Sequence, residues 1–231
     1  MMLGYYDMGF YGITIVLSLV GMVVSGILKS KFSKYSKVRL SNGLTGHEVA
    51  RRMLDYYGIP EVKIIEGRGT LTDHYNPLHR TVTLSPDVYR GNSISAAAVA
   101  AHECGHAVQH KEAYAMLKLR SAVVPVVSFA ARAQQFLLIG AFMLLNSFPQ
   151  LMLITIISFL ITTFFAFITL PVEFDASKRA LNWLSDEGVL EGSEYNGAKD
   201  ALFWAAMTYV AAAISALVMV VYLMSKYNNR N

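Results

Sequence analysis

The chain has 231 residues, 54% of them apolar and 16% charged, with a formal charge of +4. Mean hydropathy is positive, and the apolar residues gather in long uncharged runs, which excludes an ordinary water-soluble domain. A single cysteine, Cys104, excludes an intramolecular disulfide framework and fits a reducing compartment.

Residues 8–28 form the first apolar run, about the ~20 residues that cross a bilayer. Asp7 precedes it, while Lys29, Lys31, Lys34, Lys37 and Arg39 crowd behind it. That asymmetry predicts a retained anchor with its N-terminus outside and the following segment in the cytosol. The basic cluster carries no stacking motif, so a lipid surface is expected to face it and nucleic acid is not.

Residues 40–117 read as a water-facing region. Residues 45–57 predict a helix with Val49, Met53 and Leu54 on one face, ending before Gly58-Ile59-Pro60. Residues 62–65 and 81–84 predict short strands, separated by the turn-rich Asp73-His74-Tyr75-Asn76-Pro77. Ser93 or Ser95 caps a helix that runs through Ala96–Ala101 into His102. Three further spans are expected at 119–145, 151–170 and 201–224. Pro125 should bend the first of these. Its Arg132, Gln134 and Gln135 are expected to face protein or water, or to put part of the helix at the interface.

The string Ala101-His102-Glu103-Cys104-Gly105-His106 carries the chemistry. Residues four apart share one helix face, so His102 and His106 can converge on one ion. Glu103, at the edge of that face, is placed to act as general base on a metal-activated water. A third ligand is needed. His110 lies two turns, roughly 12 Å, from His102 and cannot share an ion with it on an unbroken helix. Glu112 occupies the place of a metzincin's third histidine, so that pattern fails too. Cys104 points away from the histidine face and reads as a small buried residue. Glu173, in Pro171-Val172-Glu173-Phe174-Asp175-Ala176-Ser177, emerges at the end of the third span, with Pro171 kinking or starting the helix that carries it. Two spans separate it from His102, and an even number of crossings returns it to the same side.

Three runs, LTDHYNPLHRTVTLSPDVY at 71–89, AAHECGHAVQH at 100–110 and LPVEFDASKRAL at 170–181, together resemble the YugP-type membrane zinc proteases of bacteria. The likeness extends from the basic segment to the last helix. It implies a gluzincin-like site with His102, His106 and Glu173 on Zn2+ and Glu103 as base. HtpX-type membrane gluzincins are more distantly similar. They carry Asp four residues after the ligand Glu; here Ser177 stands there, and the nearby carboxylate is Asp175. Both are candidates for orienting the zinc histidines. The resemblance also implies that Thr81, Val82, Thr83 and Leu84 form an edge strand that pairs with substrate. Asp73, His74 and Tyr75 would line the cleft mouth, the alternative being a turn held by Asp73 and Asn76. Arg179, Tyr195 and His74 are the candidates for an oxyanion donor.

The expected whole, over residues 1–231, is mainly α: a polytopic α-helical membrane protein with a small zincin-like cytosolic subdomain (40–117 plus 171–200) containing a short β-sheet. It is expected in the bacterial plasma membrane, hydrolysing peptide bonds in membrane-associated protein or peptide substrates. The alternative is a catalytically silent scaffold or chaperone-like partner retaining a zinc site. An intact Glu103 argues against that alternative.

Overall fold

The computed structural model describes residues 7–229; the first residues of the chain, expected outside, fall beyond them. Among the described residues are seven helices and one small sheet. In chain order they are α1 (Met8–Tyr35), α2 (Gly46–Tyr56), β1 (Lys63–Glu66), β2 (His74–Asn76), β3 (Thr81–Leu84), α3 (Pro86–Tyr89), α4 (Ile94–Lys111), α5 (Ala115–Met143), α6 (Gln150–Asp186) and α7 (Gly192–Asn228).

The chain divides into two compact units. One takes Leu119–Leu170 together with the ends of the chain, up to Val24 and from Thr208. It draws on α1, α5, α6 and α7, the four helices long and apolar enough to cross a membrane. Its small core is Ala141, Met152, Ile156 and Leu223, and Phe10 packs on Phe142 with ring centroids 5.2 Å apart. Large apolar side chains such as Phe129, Phe136, Ile157 and Phe164 are exposed, which hydrocarbon solvates and water does not. Polar groups here close on neighbouring backbone. Gln134 donates to Ser158 O (3.0 Å) and Thr162 Oγ1 (2.8 Å), and Ser158 Oγ donates to Ala130 O at 3.2 Å. Gln134 thus faces protein, while Arg132 and Gln135 are exposed.

The other unit, Ser25–Lys118 with Pro171–Met207, is built around α4. From Ile94 to Gln109 every residue of that helix except His102 is buried, and its run of alanines lets neighbours approach closely. The helix begins where Ser93 Oγ accepts from Ala96 N at 3.3 Å. Helix α2 lays Val49, Ala50, Met53 and Leu54, all fully buried, into the same core. Its start is a capping box: Glu48 N donates to Thr45 Oγ1 at 3.3 Å and Thr45 N to Glu48 Oε2 at 2.8 Å. It stops at Gly58, whose φ of +62° suits the left-handed position after a helix.

Two sequence expectations change here. The strand Thr81–Leu84 (Thr81, Val82, Thr83, Leu84) is not an edge: the sheet order is β1-β3-β2. Lys63–Glu66 pairs with it in parallel on one side and His74–Asn76 antiparallel on the other. Both hydrogen-bonding sides of β3 are therefore occupied. Buried Val82 and Leu84 also mark it as a core strand. Pro171, expected to start or kink a helix, lies inside the continuous α6 and so does not start one. Residues 150–170 of that helix belong to the first unit and 171–186 to the second.

Candidate metal centre

Helix α4 presents His102 and His106 one turn apart, and α6 brings Glu173 to meet them. The contact is close because residue 105 is glycine. A Cβ there would lie 2.6 Å from the Ala176 carbonyl oxygen, inside van der Waals contact with the α6 backbone. Without that side chain, the two helices pass near enough for a carboxylate on one to reach the imidazoles of the other.

Glu173 Oε2 lies 3.4 Å from His102 Nε2 and 3.6 Å from His106 Nε2. The three donor atoms all fall within 4.8 Å of one another. Zinc bonds of about 2.0–2.2 Å in a tetrahedron imply ligand-to-ligand edges of roughly 3.3–3.6 Å, so the two distances to Glu173 suit a zinc ion and the three donors are of types that zinc takes. Exposure of the three side chains is 13%, 11% and 3%, leaving one face open through the imidazoles. Burial works against the charged form of Glu173, yet hydrogen bonding and charge from His102 and His106 prevail and hold its carboxyl far below the usual range. Burial likewise disfavours charged His106, but bonding to Glu173 and the nearby charge of Glu103 raise it above its ordinary value. Glu103 follows His102 in α4 and is itself buried.

Each histidine is held from behind. His102 Nδ1 meets Ser177 Oγ at 3.1 Å. His106 Nδ1 meets Gln109 Oε1 at 3.0 Å. Gln109 Nε2 reaches Val172 O and Asp175 Oδ2, both at 2.8 Å. Asp175 Oδ2 also accepts from Arg179 Nε at 2.5 Å, and Arg179 donates through its other nitrogen to Glu112 at 2.6 Å.

The remaining sequence candidates are engaged with other partners. Arg179 is committed to two carboxylates. His74 is exposed on β2, its Nδ1 2.8 Å from Thr72 O, and Tyr195 packs against the hydrophobic core. Asn76 accepts from Leu78 N at 3.0 Å within the turn, while Asp73 accepts from the distant Ser85 N at 2.7 Å. His110 Nδ1 bonds the Tyr75 hydroxyl at 2.8 Å. Sequence reasoning missed Gln109 and the close approach at Gly105. The spacing of Gln109, one turn after His106, was the available signal.

Residues 10–228 match the family model described as "Putative neutral zinc metallopeptidase". Over 190 residues the chain is 51% identical to "Putative membrane protease YugP" of Bacillus subtilis (strain 168), covering 82% of this chain and 84% of that protein. No solved structure matches the chain.

Proposed function

The chain belongs to the neutral zinc metallopeptidase family, and on that premise we propose that it is a membrane endopeptidase acting on protein or peptide substrates at the bilayer. His102, His106 and Glu173 hold the metal in this reading, and Glu103 is the general base. The observation that carries it is the convergence of two Nε2 atoms on one carboxylate oxygen at tetrahedral-edge spacing, with a buried carboxylate next in sequence to the first histidine.

Zinc bound there supplies a Lewis acid that polarises the scissile carbonyl and acidifies a water. Glu103 takes the proton from the attacking water and passes it to the leaving amine, which needs a carboxylate that does not itself ligate the metal. Ser177 and Gln109 hold the imidazoles in orientation. An extended substrate backbone would add at the outer side of β2, an edge strand tied to α4 by the Tyr75–His110 bond. The basic residues behind the first span favour a plasma-membrane protein with its N-terminus outside and the metal centre on the cytosolic side.

The test is Glu103→Gln in the purified, detergent-solubilised chain, with a casein-type substrate and metal analysis side by side. Proteolysis is expected to vanish while zinc stays bound. Undiminished cleavage would overturn the assignment of the base. Loss of zinc would mean that ligand and base have been exchanged.

A further inference from the structure

Gln109 stands where α4, α6 and His106 meet. It is fully buried. Its Nε2 donates to Val172 O and Asp175 Oδ2, each at 2.8 Å. Both partners are acceptors, so the amide can sit only one way round, with Oε1 turned to His106. A carbonyl oxygen cannot donate, and the 3.0 Å contact with His106 Nδ1 therefore requires the proton on that nitrogen. The lone pair is then on Nε2, the atom that faces Glu173. Arg179 completes the brace by bonding Asp175 Oδ2 at 2.5 Å and Glu112 at 2.6 Å, which keeps the Asp175 oxygen in place as acceptor.

We propose that Gln109 is the positioning residue of the metal centre: one side chain that sets the ligating tautomer of His106 and registers the turn of α6 carrying Glu173 against α4. Glutamine is suited to this because its amide joins an acceptor, for the imidazole N–H, to a donor, for a carboxylate. A carboxylate at 109 beside Asp175 could not do both. The inference rests on the metal-site reading above; its readout is metal affinity rather than proteolysis, so its failure is distinguishable from failure of the peptidase reading.

The experiment compares three full-length proteins in detergent: wild type, Gln109→Leu and Gln109→Met. Zinc affinity is measured by competition with a chromophoric chelator, the cobalt-substituted visible spectrum reports ligand geometry, and circular dichroism reports folding. Gln109→Leu is expected to weaken zinc about 10- to 100-fold and to change the cobalt spectrum at unaltered helicity. Gln109→Met keeps the length of the side chain and fills its space but offers His106 and Asp175 no amide partner. It is expected to lose affinity as Gln109→Leu does, which a role in packing alone would not produce. Wild-type zinc affinity and cobalt spectrum in Gln109→Leu overturn the proposal. So does a Gln109→Met variant that binds zinc as tightly as wild type. Should Gln109→Leu not fold, Gln109→Met alone decides, a loss of ten-fold or more supporting the proposal and near-wild-type affinity overturning it. A wild type that binds zinc tightly but cleaves nothing removes the peptidase reading and leaves this one to the affinity data. A wild type that binds no zinc removes both.

Discussion

Single atoms decide the chemistry of this centre. Gly105 is the sharpest case, because the Ala176 carbonyl oxygen occupies the space a Cβ would need. Gly105→Ala should push α4 and α6 apart, costing about 1–3 kcal/mol as overpacking does. Zinc affinity should fall even though no ligand has changed; thermal unfolding and chelator competition on the same preparation check this. Glu173→Ala should lower zinc affinity more than Ser177→Ala does, since one removes a ligand and the other only the hydroxyl behind His102. Proton competition follows from the shifts at the site. Metal binding needs neutral His106, whose folded-state value is raised without metal by Glu173 and Glu103 in spite of burial. Zinc affinity should therefore drop as pH falls through the range just above the ordinary histidine value, by up to about a decade per pH unit per proton taken up. In the metal-free protein the sign reverses. Protonated His106 beside Glu173 stabilises the fold, fully below the unfolded histidine value, and this is lost as pH rises through the raised one. Glu173, held far below the usual carboxylate range, takes no part in that window. Chelator competition and unfolding midpoints between pH 5 and 8 separate the two trends.

At the scale of elements, the site depends on helices that are longer than their apolar stretches. Glu173 has helix on both sides of it in α6, so its carboxylate is carried by a regular element and not by a loop. Pro171 is tolerated inside α6, although it withholds one backbone donor. Asp186 ends α6, and Glu194, in the first turn of α7, accepts from Ser41 N at 2.8 Å. Helix α2, which walls one side of α4, owes its start to the Thr45–Glu48 box. Thr45→Ala should destabilise the protein by about 1 kcal/mol, read as a lower unfolding midpoint with zinc affinity unchanged. The sheet expectation failed at this scale. A run of four β-prone residues carries no information on whether its neighbours lie on one side or two, and pairing with both 63–66 and 74–76 made it central.

At the scale of the molecule, the Ser41–Glu194 bond ties the segment after α1 to the start of α7, so the two must share one side of the membrane. Single cysteines at Ser41 and Ser193, in a Cys104-free background, should both label from the cytosol, and one at Ser147, between α5 and α6, from outside. Labelling of Ser41 from outside would overturn the proposed orientation. The sequence by itself determined the membrane character, the number of apolar runs and the candidate metal-binding histidine pair, because each rests on local spacing: uncharged stretches of bilayer length, and two histidines one helical turn apart. The cap at Ser93, one of two serines offered there, was legible for the same reason, whereas Thr45, read as part of its helix, is the cap. Only the tertiary structure decided that Glu173 meets His102 and His106, because they lie about 70 residues apart in the chain and meet through a helix approach that Gly105 permits. It alone revealed Gln109 and its bond to Asp175, a residue the sequence offered only as a candidate, since a hydrogen bond between helices depends on their rotation and depth of packing, which no spacing within one helix records.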